Sequence, residues 1–125
     1  MAFKAARTFF EATKAANDGI SITINKAIPF AAGLAGGSAD AAATLLALDR
    51  LYGTRLKMRT LNKIGLTLGA DVPFCLQGGT MLAQHIGELL TPVPELPDCF
   101  YRAGEAAQGV STAQAYHLCD TAPNL

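Results

Sequence analysis

Two short runs carry residue types suited to chemistry. The first is IPFAAGLAGGSADAAATLLALDRLYG, residues 28–53, where Gly33, Gly36 and Gly37 lead into Ser38 and then into small and apolar residues. Glycines let a bound anion approach the backbone closely, and the free amides and dipole at a helix N-terminus favour negative charge. Ser38 adds a hydroxyl able to donate to a phosphate oxygen or to stand beside a Mg²⁺. The generic phosphate patterns do not match. GxxxxGK[ST] needs a lysine after its last glycine, where this chain has Ser38, and GxGxxG needs alternating glycines that Gly33-Leu34-Ala35-Gly36-Gly37 does not supply. On residues alone, a small-residue loop that lets a helix pack tightly on a sheet fits equally well. The second run is GADVPF, where Asp71 sits among Gly69, Ala70, Val72 and Pro73. A carboxylate in apolar company on a bend suits a general base or a Mg²⁺ ligand. An Asx-turn to nearby backbone amides is the commoner use of a lone loop aspartate.

The elements that must hold these runs follow from periodicity. Phe3, Ala6, Phe10 and Thr13 or Lys14 recur at helical spacing, and Asn17-Asp18-Gly19 predicts the end of that first helix. Ile20, Ile22 and Ile24 alternate with Ser21, Thr23 and Asn25, which predicts a strand over 20–26 with one buried face. A helix is expected from about Ser38 to Tyr52, closed by Gly53, with Asp40 in its first turn near the positive dipole end. A second helix is expected over Arg59–Leu68 with Thr60 as cap, then a break at 69–73 and a short apolar Phe74-Cys75-Leu76. Gln77-Gly78-Gly79 turns the chain into a strand at Thr80–Gln84. Residues 91–98, with three prolines, read as a loop or linker, Cys99–Ala103 as a strand, and Ser111 or Thr112 as the cap of a helix through Leu118. Mixed helices and strands mean α/β or α+β.

Composition narrows the function classes. The chain has 125 residues, of which 50% are hydrophobic and 16% charged, the balance of a single globular domain or part of one. A formal net charge of +0 gives no support to a nucleic-acid binder, although a local phosphate site needs no net positive charge. Three cysteines without a CxxC pair or a Cys/His cluster argue against a zinc knuckle and a disulfide scaffold and suit a reducing compartment. No run approaches the ~18 apolar residues of a membrane span, so a soluble protein is expected. His85 and His117 lack metal-ligand spacing, and the phenylalanines, including Phe3, Phe9, Phe10, Phe74 and Phe100, read as core.

Taken together and in order, PxxAGLAGGSxDAAA followed by GADVPFxxxGGT resembles the GHMP kinase superfamily. Within it, the full GADVPF run, the GGT turn, Gly87-Glu88 and Gly109-Val110-Ser111-Thr112 resemble the 4-diphosphocytidyl-2-C-methyl-D-erythritol kinase family of the non-mevalonate isoprenoid pathway. The resemblance implies an α+β two-layer fold, the GHMP kinase N-terminal domain of the ribosomal protein S5 domain 2-like type, incomplete at its N-terminus. It also implies phosphorylation of the 2-hydroxyl of the cytidine-diphosphate-linked methylerythritol, with ATP as co-substrate and Mg²⁺. Pro29, Phe30, Ala31, Ala32, Gly33, Leu34, Ala35, Gly36, Gly37, Ser38 and Ala39 would then wrap the ATP phosphates, with Ser38 on the phosphate or metal side. Asp71 would be the catalytic base. Thr112 and Tyr116 fall near the substrate side.

The chain also departs from that family. The family begins earlier, with a catalytic lysine in a PAKINL-like strand and a Gly-Tyr-His segment for the cytosine; Lys26 follows a strand but has the wrong surroundings. The family ends later, in a second domain with its own glycine-rich motif, and residues 102–108 and Ala39 differ from the usual pattern. The expectation is therefore a central fragment, with 1–125 a partial ATP-binding domain and 91–125 leading towards a further domain. By itself it is expected to be inactive and marginally stable or self-associating, since strand 20–26 would present an unpaired edge. Its partners would be ATP and the small-molecule substrate, with no nucleic acid or membrane, in the cytoplasm, or a plastid if the source is a plant. A non-catalytic nucleotide-binding or interaction remnant of such a kinase is the alternative.

Overall fold

The computed structural model describes residues 1–29, 32–100 and 111–122. Their order is α1 Ala2–Thr13, α2 Gly36–Leu51, α3 Met58–Leu68, α4 Val72–Gln77, β1 Met81–Gln84, β2 Leu89–Pro92 and α5 Thr112–Thr121. Phe30 and Ala31 of the glycine loop lie outside the described residues, as do residues 101–110 with most of the strand expected at Cys99–Ala103.

The first four helices share one core. Ala2, Ala5, Ala6 and Phe9 form the buried face of α1, and Ala41, Ala42, Leu45 and Leu48 form that of α2. Leu61, Ile64 and Leu68 of α3 and Val72 and Leu76 of α4 complete the cluster. Helix α2 packs against α1, α3 and α4 and is the centre of the assembly. Phe10 and Tyr52 close one end, edge to face, with ring centroids 5.1 Å apart. Asp49 ties the following turn, its carboxylate accepting from the Thr54 hydroxyl at 2.6 Å and the Leu56 amide at 2.8 Å. Of the phenylalanines expected inside, Phe9 is fully buried, but Phe3, Phe74 and Phe100 are exposed. Phe3 lies on α1 away from the face that meets α2.

Helix boundaries differ from expectation for local reasons. Helix α1 ends at Thr13, short of Gly19, because the Thr13 hydroxyl donates to Phe9 O at 2.8 Å and accepts from Ala15 N at 3.3 Å, competing with helical pairing. Lys14 is left-handed there, at φ 56°. Helix α3 starts one residue early, and Lys57, not Thr60, is its capping position; the Lys57 carbonyl accepts from Thr60 and Leu61. Residues 72–77, read as a break and a short apolar piece, form α4, whose early Pro73 lacks only an amide that has no intrahelical partner.

The sheet of the described residues is the antiparallel hairpin β1–β2, with Met81 opposite Pro92 and Gln84 opposite Leu89. The expected loop at 91–98 thus begins only at Val93, because Leu89–Pro92 pairs with β1. The predicted strand over 20–26 takes no part in this sheet. Alternation supplies one apolar face but no hydrogen-bond partner, and Ile22 and Ile24 remain 42% and 43% exposed. Instead, segment 20–25 borders two open grooves of about 790 and 460 Å³, one against α1 and one against α2. Ser111 caps α5, accepting from Gln114 N at 3.2 Å, and the helix runs on to Thr121.

Candidate active site

The glycine run places a helix N-terminus where a ligand can reach it. Helix α2 starts at Gly36, two residues before the expected Ser38, because Ala35 adopts a left-handed conformation (φ 51°, ψ 21°) and its carbonyl accepts from Ala39 N at 2.9 Å. The amides of Gly36, Gly37 and Ser38 precede that first intrahelical bond, and no side chain caps them. A left-handed alanine costs roughly 1–2 kcal/mol, and strain of this kind gathers at functional loops. A side chain at Gly36 would be crowded: a Cβ there would lie 3.0 Å from Ile28 Cγ2 and 3.2 Å from Lys26 Nζ.

Asp40 is not in the first turn of α2, since the helix begins earlier. Its carboxylate takes an ion pair, with Lys26 Nζ 2.8 Å from Oδ2 and side chains 22% and 24% exposed. Lys26, set aside on sequence, therefore reaches the loop. The signal was present: Lys26 continues the same-face series Ile20, Ile22, Ile24, and a charge at the end of an apolar face needs a partner.

Asp71 occupies the capping position of α4, its carbonyl accepting from Cys75 N at 3.1 Å, but its side chain makes no capping bond. The Asx-turn reading therefore fails, and an exposed carboxylate remains available to a ligand. One turn on, burial first and the Asp71 charge second push the half-buried Cys75 thiol above its usual range, which disfavours a nucleophilic thiolate.

A cavity of about 730 Å³ brings these parts together. Pro29, Ala32, Gly33, Leu34, Ala35, Gly36 and Gly37 line it with Lys26, Asp40, Asp71, Ala115 and Tyr116, and Met1 closes one side. Ser38 and Ala39 are not among the lining residues; a Cβ on Gly69 would lie 4.0 Å from Ser38 Oγ, so that hydroxyl faces the bend carrying Asp71. The hairpin turn packs on the same bend, with a Cβ on Gly87 falling 3.7 Å from Ala70 O. Tyr116, exposed on α5, reaches the cavity, and Thr112 begins that helix. Sequence reasoning missed Met1, Lys26, Asp40 and Ala115 as lining residues. His85 and His117 are exposed and take no part. Among the described residues, no three histidine, cysteine or acidic side chains gather as a metal site, and no helix is long and apolar enough to cross a membrane.

The family model described as "GHMP kinases N terminal domain" matches residues 1–79, a stretch holding α1 to α4, the glycine loop and Asp71. The chain belongs to the GHMP kinases. Curated relatives of this GHMP kinase chain include a 4-diphosphocytidyl-2-C-methyl-D-erythritol kinase of Lachnoclostridium phytofermentans, 48% identical over 86% of this chain and 37% of the relative. Another protein of that name, from Geobacillus kaustophilus, is 45% identical over 93% of this chain and 40% of its own length. A solved structure of 4-(cytidine 5'-diphospho)-2C-methyl-D-erythritol kinase is 44% identical, with a TM-score of 0.65 over 74% of this chain and 33% of the other. The chain thus spans well under half the length of the relatives it matches. Its α+β fold is that of the GHMP kinase N-terminal domain.

Proposed function

We propose that these residues form the nucleotide-binding part of an ATP-dependent kinase acting on the 2-hydroxyl of 4-diphosphocytidyl-2-C-methyl-D-erythritol. One observation carries the reading: the uncapped N-terminus of α2 and the unpaired carboxylate of Asp71 line the same cavity. Relatives bearing that kinase name support the choice of substrate.

Phosphoryl transfer needs chiefly positioning and charge stabilisation, with one group aimed at the nucleophile. The amides of Gly36, Gly37 and Ser38 hold phosphate oxygens at the positive end of α2. The Asp71 carboxylate accepts the proton of the attacking hydroxyl, and Tyr116 and Thr112 border the substrate side. Mg²⁺ keeps several waters and binds through one or two protein oxygens plus phosphates. The Ser38 hydroxyl, a hard oxygen donor, would stand on the ion's side of the phosphates and leave the Asp71 carboxylate to act as the base. When bound, the ion neutralises phosphate charge.

Binding is the activity expected of the 125 residues by themselves, with turnover requiring the rest of a relative's length. The test grafts residues 1–125 in place of the matched stretch of the Geobacillus kaustophilus kinase and measures ADP formation with ATP and the cytidine-diphosphate-linked methylerythritol. Substrate-dependent ADP release supports the kinase. A correctly folded graft that binds ATP without transfer makes the chain a nucleotide-binding remnant.

A further inference from the structure

Resting on that nucleotide-binding reading, we propose that Lys26 is a positioning residue that acts through Asp40, clamping the two ends of the glycine loop. Lys26 precedes the loop and Asp40 follows it, fourteen residues on, in the second turn of α2. Their 2.8 Å contact therefore spans the whole segment 27–39, which contains every loop residue lining the cavity.

The geometry separates this role from that of a surface ion pair. Exposed pairs contribute little because water screens them and two long side chains must be ordered. Here about three-quarters of each side chain is withdrawn from water. Such a pair gives up hydration and constrains geometry more than it stabilises the fold. The ammonium is also packed over the start of the helix, 3.2 Å from where a Gly36 Cβ would be, while Ile28 wedges the same residue at 3.0 Å. The strained Ala35 beside it shows that this turn is held away from its own preference. Lys26, Ile28 and Asp40 thus fix the direction in which the Gly36 and Gly37 amides point. Holding a loop in its binding conformation before the ligand arrives raises affinity without adding a contact. Elsewhere, of the two grooves beside segment 20–25 one is slightly larger than this cavity and one smaller, yet nothing in the structure shows what covers them.

The test measures the equilibrium binding of Mg-ATP to the 125-residue chain, well below its unfolding midpoint. Lys26→Met keeps the stem and removes the charge; Asp40→Asn keeps the shape and removes the charge. Each single variant is expected to raise the ATP Kd about tenfold or more, and the double variant no further than Lys26→Met alone, the non-additivity of a shared contact. Hydrogen exchange at the Ala39 amide, which donates to Ala35 O at 2.9 Å, should quicken in both singles. If Lys26→Met weakens binding while Asp40→Asn leaves or tightens it, Lys26 is a phosphate ligand and the clamp is wrong. Unchanged Kd with only a lower unfolding midpoint means a structural pair and also overturns it. Absence of ATP binding by the unsubstituted chain refutes the nucleotide-binding reading itself, and the clamp falls with it.

Discussion

A Cβ on Gly65 would lie 2.9 Å from Val72 Cγ1, closer than side chains approach one another. This contact lets α3 press against α4 and so fixes the helix at whose head Asp71 stands. Replacing a helical glycine with alanine ordinarily gains up to ~1 kcal/mol. At Gly65 overpacking against a β-branched, rotamer-restricted valine opposes that gain with about 1–3 kcal/mol. Gly65→Ala should therefore destabilise the chain, read as a lower midpoint in urea unfolding. A variant more stable than the parent would show that α3 and α4 are not in this contact.

Ala35 sits at φ 51° without glycine's freedom. Ala35→Gly relieves the left-handed cost but loosens the unfolded chain, so its stability should stay within ~1 kcal/mol of the parent. Ala35→Val places a β-branched residue in the same conformation and should lose more than ~1 kcal/mol. Equal unfolding midpoints for the valine variant and the parent would contradict a left-handed start to α2.

Asp71→Asn, made in the grafted kinase, preserves the shape at the head of α4 and removes the base. Turnover should fall by roughly 10²–10⁴, the usual contribution of a positioned acid or base. The ATP Kd should change by less than about twofold, because the phosphates rest on α2. Undiminished turnover would remove Asp71 from the chemistry.

Cys75 offers a probe that does not need activity. Burial and the Asp71 charge raise its thiol pKa, so iodoacetamide should modify Cys75 more slowly than the exposed Cys99 and Cys119. Asp71→Asn should speed the reaction. A thiol whose folded pKa lies above its unfolded one stabilises the fold at lower pH. That contribution fades as pH rises through the unfolded and then the folded pKa, so stability should drop on the alkaline side. Mapping the modified cysteine by peptide mass against pH checks both points; faster labelling at Cys75 than at Cys99 would contradict the burial.

The sequence by itself determined the chemistry-bearing segments and the kinase family. Glycines before Ser38, and an aspartate between Ala70 and Val72, are readable because local backbone freedom and residue type depend on few neighbours. The same locality made α2, α3 and α5 legible to within a few residues. Tertiary structure alone decided which polar groups meet. Lys26 and Asp40, fourteen apart, and Gly36 and Asp71, thirty-five apart, share one cavity only because α2 packs on α4. It also decided that segment 20–26 pairs with no strand among the described residues. A period of two predicts which side chains share a face, but a strand exists only where a second backbone accepts and donates its hydrogen bonds, and no residue type encodes that partner.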